Sequence, residues 1–293
     1  ILMISRLRKR LPITPVRSDR LRTKQNRGIN VETKYQQLLD NIAAYNKHVG
    51  VCVSGGSDST LVLIAAAEAL GADRVTAITA NTAFITGDEM SVAEELAKKL
   101  GVVHLKPRVF LMQNEKITRN DAKKCIYCKR DLVGTLSQVA VQNNITLLLD
   151  GAHASVAPDN KISTHDGVCV MSPLRDAKIT RLEIEQILKD LGFSKYIRPA
   201  SSCLAARIAT GDPITIKKLR WLRAAENYIM SLGFDFVWVH VTGMDADVQV
   251  PKSDVARLLR FEEEIRAELL DMGYRNVTIN PEGYKKISQC IGD

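Results

Sequence analysis

Three cysteines and one short loop hold the residue types whose spacing could do chemistry. Cys125 and Cys128 stand as C-I-Y-C, Cys203 lies in A-S-S-C-L-A-A-R, and Ser54-Gly55-Gly56-Ser57-Asp58-Ser59 links an apolar segment to a helical one. Glycines in such a loop let the backbone approach an anion with no Cβ in the way. Successive N–H groups and Ser hydroxyls can then donate to it, and the helix N-terminus behind them adds favourable potential. No lysine follows the glycines, so the loop is not of the G-x-x-x-x-G-K-[ST] kind. It suits the pyrophosphate that departs when a nucleophile attacks the α-phosphorus of ATP, which is adenylation and not γ-phosphoryl transfer. Asp58 is the candidate to orient the loop or to hold Mg2+. An ordinary Gly/Ser turn is the bland alternative.

The cysteines are open to more readings. C-x-x-C alone fits a redox pair, half a zinc site or part of a cluster. No second C-x-x-C and no nearby His pair completes tetrahedral zinc, and Lys123, Lys124, Lys129 and Arg130 flank the motif. Three thiolates on a cubane, with Cys203 as the third, would leave one iron open to a ligand such as sulfide. Local positive charge would favour thiolates and an anionic cluster. The competing role for Cys203 is to give up its own sulfur. The bland reading is two structural thiols and an unrelated third. Cys52 and Cys169 fall within apolar runs and read as inert core residues, and Cys290 as incidental.

Positioning these groups falls to βα units on a parallel sheet. The pattern predicts strands at Val49–Val53, Val75–Thr79, Val102–Leu105, Thr146–Leu149 and Val168–Met171. Helices are predicted over Thr60–Leu70, about Asp88–Leu100, a stretch opening near C-I-Y-C and running through Gln142, and Thr180–Leu191. Ligands of open α/β sheets bind at the carboxyl ends of the strands, which adds Thr79, Asn81, Asp150 and Gly151 as nucleotide contacts. Gln113–Lys124 is polar and charged. Residues 195–213 break the periodicity and read as a functional loop, because Cys203 and Arg207 lie in it. Beyond it, a helix over Ile214–Leu232, strands at Val237–Val241 and Val248–Val250, one helix over Asp254–Met272 and a strand at Val277–Ile279 form a small α/β unit. The expected division is a basic leader at 1–32, a nucleotide-binding domain at 33–197, a junction at 198–213 and a C-terminal domain at 214–293.

The charge is unevenly spread. Nine of the 41 Lys and Arg fall in residues 1–30 against Asp19 alone, so the remaining chain carries no net charge. A basic leader can touch RNA or an acidic surface, whereas a balanced body argues against a broad nucleic-acid footprint. No apolar run approaches the roughly 18 residues that span a bilayer. Six cysteines without a small disulfide framework fit a reducing, cytoplasmic compartment.

From about residue 35 onward the chain resembles the LarE-type ATP-dependent sulfur transferases of the PP-loop (ATP pyrophosphatase) superfamily. The resemblance rests on S-G-G-S-D-S, Leu149-Asp150-Gly151, and Arg198–Arg207 continuing to Gly211-Asp212-Pro213-Ile214-Thr215. Gly273–Val277 and Glu282-Gly283-Tyr284 extend it. It implies a Rossmann-like ATP-binding domain and a small oligomerising domain, hence a homo-oligomer. It also implies adenylation of a carboxylate on a nicotinic-acid-derived pyridinium mononucleotide, followed by replacement of the activated oxygen with sulfur, toward a nickel-pincer cofactor. Single-cysteine members donate the sulfur of the residue matching Cys203. Members with an added C-x-x-C, as at Cys125 and Cys128, resemble a subgroup that holds a [4Fe-4S] cluster. Arg207 matches the family as a candidate anion clamp, with tying down its loop as the alternative, and Glu226 is a weaker carry-over. The family's V-R-V-R phosphate strand is here Val237-Trp238-Val239-His240, a departure at the substrate-phosphate site.

The expected function is therefore ATP- and Mg2+-dependent thiolation of a small-molecule carboxylate, with Cys125, Cys128 and Cys203 as cluster ligands. One rival is a tRNA thiolase, since superfamily relatives pair the same loop with C-x-x-C and a third cysteine. The other is an adenine-nucleotide-binding protein with structural zinc.

Overall fold

The computed structural model describes residues 28–86, 88–155, 164–198 and 203–284. Most of the basic leader, Cys290 and residues 199–202 of the R-P-A-S-S-C segment lie outside the described residues. Helix α1 (Gly28–Ala43) leads into β1 (Val49–Cys52), α2 (Ser57–Leu70), β2 (Val75–Ile78), α3 (Glu89–Leu100) and β3 (Val103–Leu105). After α4 (Glu115–Thr118) and α5 (Lys124–Gln142) come β4 (Leu147–Leu149), β5 (Thr164–His165) and β6 (Val168–Met171), then α6 (Pro173–Asp176) and α7 (Arg181–Asp190).

These strands form one six-stranded sheet in the order β3-β2-β1-β4-β6-β5. All neighbours are parallel except the β5–β6 edge pair. The chain moves outward from β1 to β3 and then returns to β4 on the other side of β1. That reversal is the switch point of an open α/β sheet, where a crevice forms beyond the strand ends. The loops after β1 and β4 both emerge there. The fold is thus an α/β fold with a Rossmann-like parallel PP-loop sheet and, beyond it, a smaller mixed sheet.

Burial explains the element types. β2 and β4 are buried along their whole length because both sheet faces are covered. Helix α2 (S-D-S-T-L-V-L-I-A-A-A-E-A-L) is buried on most sides, clasped between the sheet and helices α1 and α7.

The smaller sheet has the order β7-β8-β9, from β7 (Trp238–Thr242), β8 (Asp245–Gln249) and β9 (Asn276–Ile279). β7 and β8 are antiparallel, β8 and β9 parallel. Helix α8 (Ile216–Ser231) precedes it, and α9 (Val255–Leu258) and α10 (Glu262–Asp271) cross from β8 to β9. Its core is not confined to the C-terminal segment. Phe84, Val109, Leu111 and Ile117 from the loops of the large sheet join Leu204, Ala205 and Ile208 in the same apolar cluster as Leu222, Val239 and Val248. The junction around Cys203 is therefore packed from both sides.

Several boundaries differ from the sequence expectation. Helix α2 begins at Ser57, three residues early, because Gly56 is still extended and Ser57-Asp58-Ser59 make the first turn. Asp58 in that turn suits the positive end of the helix. The expected helix over 254–272 is interrupted by a tighter turn at Leu259–Phe261 between α9 and α10. Strand β5 was not foreseen, and α4 occupies part of the polar stretch 113–124, capped by the Asn114 side chain accepting from Lys116 N–H at 3.0 Å. Cys169 is exposed, not core. Strand alternation turns it away from buried Val168 toward the face where Met171 is also exposed.

Candidate active site

A cavity of about 450 Å3 opens at the carboxyl ends of β1 and β2. Its polar end is Ser54–Asp58, Thr79, Thr86, Glu89, Arg181 and Arg198, and its apolar wall includes Ile78, Phe84, Leu111, Leu132 and Leu136. Cys52, Cys128 and Cys203 line the same space. The loop after β1 and two of the three singled-out cysteines therefore share one chamber.

The loop is built for close approach. Gly55 has φ +79°, a conformation that side-chain-bearing residues rarely adopt, and a Cβ there would lie 2.5 Å from the Glu89 carbonyl oxygen. A Cβ on Gly151, after β4, would lie 3.0 Å from Ser59 N, so this glycine lets the β4 loop press on the start of α2. Ser59 Oγ accepts from Ser54 N–H at 3.1 Å and sits 3.2 Å from Ser54 Oγ, which closes the turn. The first N–H groups of α2 have no acceptor within the helix and are available to an anion. The cradle fits a nucleotide's phosphates on this geometry.

Charge around the loop is held by two arginines that sequence reasoning did not single out. Arg181 Nη1 donates to Asp58 Oδ1 at 2.7 Å, and its Nη2 donates to the Arg198 carbonyl at 2.6 Å. Ser57 Oγ accepts from Arg198 N–H at 2.9 Å. The Arg198 guanidinium pairs with Asp88. One signal was legible: Arg181 is the first residue of α7, where a cation opposes the helix dipole and needs another reason to be there. Glu89 also escaped notice. Burial pushes its carboxyl above the usual range, opposed by the Thr86 N–H and by Arg207.

The other expected positions divide. Thr79 is buried and lines the cavity, with its Oγ1 2.8 Å from His104 Nε2. Asn81 does not line it: its backbone is tied to the loop after β3, donating to the Pro107 carbonyl at 2.8 Å and accepting from Val109 N–H at 2.9 Å. Asp150 caps its own turn, with Oδ1 accepting from Ala152 N–H at 3.1 Å. Cys52 lines the cavity, yet burial, then the Asp150 charge, push its thiol up to about 12. It stays protonated, which agrees with an inert residue.

Arg207 is not at the cavity. It is 2% exposed, its Nε donates to Glu226 Oε1 at 2.6 Å, and its Nη1 donates to the Cys203 carbonyl at 3.1 Å. Its guanidinium stacks 4.4 Å from the Trp238 ring. Glu226, buried rather than solvated, also accepts from Val239 N–H at 3.1 Å. Of the two readings for Arg207, the geometry matches tying down the loop. The Trp238 ring covers that pair.

The cysteines converge in part. Cys125, Cys128 and Cys203 are all half-buried thiols. Cys125 and Cys128 lie three apart in the first turns of α5 and so share one face of that helix. Cys128 and Cys203 border the cavity and the same apolar cluster, whereas Cys125 is not among the lining residues. Among the described residues, no three His, Cys, Asp or Glu side chains stand close enough to grip a metal ion. Two of the three cysteines expected as cluster ligands thus border the cavity, and the described residues do not bring all three together as one metal grip.

Comparison with known proteins places the first half of this architecture. The asparagine synthase family model matches residues 39–142, the segment from α1 through α5 that holds the phosphate loop. An uncharacterized protein of Synechocystis is 30% identical over 259 residues, 87% of this chain and 96% of the relative. The chain belongs to the PP-loop ATP pyrophosphatases, related to the LarE-type proteins. A Lactiplantibacillus plantarum relative, a pyridinium-3,5-bisthiocarboxylic acid mononucleotide synthase, is 28% identical over 241 residues, 82% of this chain and 87% of its own length. An uncharacterized Methanocaldococcus jannaschii protein is 25% identical over 242 residues. The matched segment includes Ser54–Ser59, and the chain is accordingly an adenylating enzyme of the PP-loop class. No helix among the described residues is long and apolar enough to cross a membrane.

Proposed function

We propose that this chain is an ATP-dependent sulfur transferase that adenylates a carboxylate of a pyridinium mononucleotide and exchanges the activated oxygen for sulfur. The observation that carries this reading is the single cavity lined both by the loop after β1 and by Cys128 and Cys203. Similarity to a bisthiocarboxylic acid mononucleotide synthase favours the substrate class.

In this reading Ser54–Ser59 cradle the β- and γ-phosphates of ATP, with Mg2+ accompanying them and Asp58 fixing the loop through Arg181. Thr79 borders the nucleotide, while Asp150 and Gly151 brace the loop from β4. A substrate carboxylate oxygen attacks the α-phosphorus, the bond to pyrophosphate breaks, and an acyl-adenylate results. A sulfur nucleophile then adds at the acyl carbon, the carbon–oxygen bond to AMP breaks, and a thiocarboxylate is released with AMP. The apolar wall of Phe84, Leu111 and Leu132 keeps water from competing for that acyl carbon.

Cys125, Cys128 and Cys203 would hold a [4Fe-4S] cluster, which when bound supplies an iron site for exogenous sulfide. Arg207 and Glu226 act through the backbone of Cys203 and are positioning residues. A second reading, in which Cys203 gives up its own sulfur, is favoured by the absence of a ready three-ligand grip among the described residues. Anaerobic reconstitution separates the readings. The cluster reading expects about four iron and four sulfide per chain, and Cys125→Ala losing both iron and turnover. Iron-free protein that thiolates once, with one sulfur lost from the Cys203 peptide by mass spectrometry, would support the sacrificial route. AMP release with tRNA and none with carboxylates would refute the substrate class.

A further inference from the structure

Two residues outside the cavity join the segments that bear the thiols. Asn120 is fully buried, four residues before the start of α5, with φ +59°. Its Nδ2 donates to the carbonyls of Ile208 at 3.3 Å, Ala209 at 2.8 Å and Asp212 at 2.8 Å. Its own carbonyl accepts from Gly211 N–H at 2.8 Å. Its remaining side-chain atom, Oδ1, accepts from Lys124 Nζ. Lys124 immediately precedes Cys125, is 8% exposed, and donates a second time to the Ala205 carbonyl at 3.0 Å, two residues after Cys203.

A buried amide and a buried ammonium are costly unless their hydrogen bonds are met. Here they are met by the segment 205–212 and by each other. Asn tolerates the left-handed backbone that its position demands. An aspartate would keep the acceptor but remove the donors that gather three carbonyls, and a leucine would orphan all of them.

We propose that Asn120 and Lys124 form a clamp that sets the register of the C-I-Y-C turn against the Cys203 loop, so that the thiols face one space. They are positioning residues for the sulfur end of the site, an inference that rests on the proposed function only for why the register matters.

The test reads the clamp without turnover. Dibromobimane bridges nearby thiol pairs and fluoresces when both arms have reacted, and peptide mass spectrometry identifies which pair. Full-length wild type is expected to give a Cys128–Cys203 bridge. Asn120→Gly, which accepts the backbone without strain, and Lys124→Met are expected to lose most of that bridge while each cysteine still reacts singly. In the same variants, backbone amides of 205–214 should exchange hydrogen roughly tenfold to hundredfold faster, the scale of one or two lost charge-assisted hydrogen bonds. ATP-analogue binding should stay within about twofold, since the PP-loop is untouched. Should a variant fold poorly, Lys124→Arg, which keeps a donor, must then show intermediate exchange. Unchanged bridging and unchanged exchange at 205–214 would overturn the clamp. A protein that bridges as expected but never thiolates would sink the functional reading and leave the clamp standing.

Discussion

Arg207 and Glu226 form a buried pair beneath Cys203, with the Trp238 ring over the guanidinium. Removing one partner of such a pair strands the other charge. Arg207→Met is expected to cost about 3–5 kcal/mol in denaturant unfolding, with much of it regained when Glu226 is also made apolar. A cost below about 1 kcal/mol, the range of an exposed pair, would contradict the burial. Glu89 gives a pH test. Burial raises its carboxyl in the folded state, so its contribution to stability is complete below the ordinary value of about 4.3 and is lost as pH rises through the raised one. Glu89→Gln should therefore raise Tm relative to wild type more at pH 7 than at pH 4. An equal difference at both pH values would contradict the shift. Cys52, a thiol pushed up to about 12, should resist iodoacetamide at pH 8 while exposed Cys169 reacts. The strand–loop–helix setting of Ser54–Ser59 was legible because a Gly/Ser turn between two apolar segments is a local signal. For Arg207 the sequence left an anion clamp and a loop tie both open, because its partner Glu226 is 19 residues away and only folding shows the pair to be buried.

At the level of elements, α7 places Arg181 against the PP-loop, and its N-terminus is secured by a capping box. Thr180 N–H donates to Glu183 Oε2 at 2.8 Å, and the Thr180 side chain accepts from the N3 backbone. Lys34 of α1 adds an ion pair to Glu183 at 2.8 Å. Thr180→Ala is expected to cost about 1 kcal/mol and to raise KM for ATP by loosening Arg181, with kcat little changed. An unchanged KM would mean that Arg181 is held without its cap. Element existence was readable from period: all five parallel strands and helices α2, α3 and α5 between them were foreseen, and the one-turn α4 was not. What failed was tertiary. Helix α2 starts early because the loop's own serines make its first turn, and the helix at 254–272 breaks where Leu258 must reach the core while Leu259 faces solvent. Edge strand β5 is only two residues long and leaves no periodic signal.

Across the whole molecule, the large sheet supplies the nucleotide end and the shared apolar seam supplies the sulfur end. The seam is why Cys128 and Cys203, 75 residues apart in the numbering, border one cavity. Sequence spacing suggested their convergence and did not reveal that Cys125 sits back from the lining. It also missed that loops of the first sheet complete the second core. One prospect follows for the two ends: they should be separable by mutation. The direct measurement is pyrophosphate–ATP exchange and thiocarboxylate formation, followed side by side in wild type and Cys203→Ala with a pyridinium carboxylate mononucleotide, Mg2+ and sulfide. The account expects Cys203→Ala to keep carboxylate-dependent exchange near the wild-type rate and to form no thiocarboxylate. Thiocarboxylate made by Cys203→Ala at the wild-type rate would contradict it.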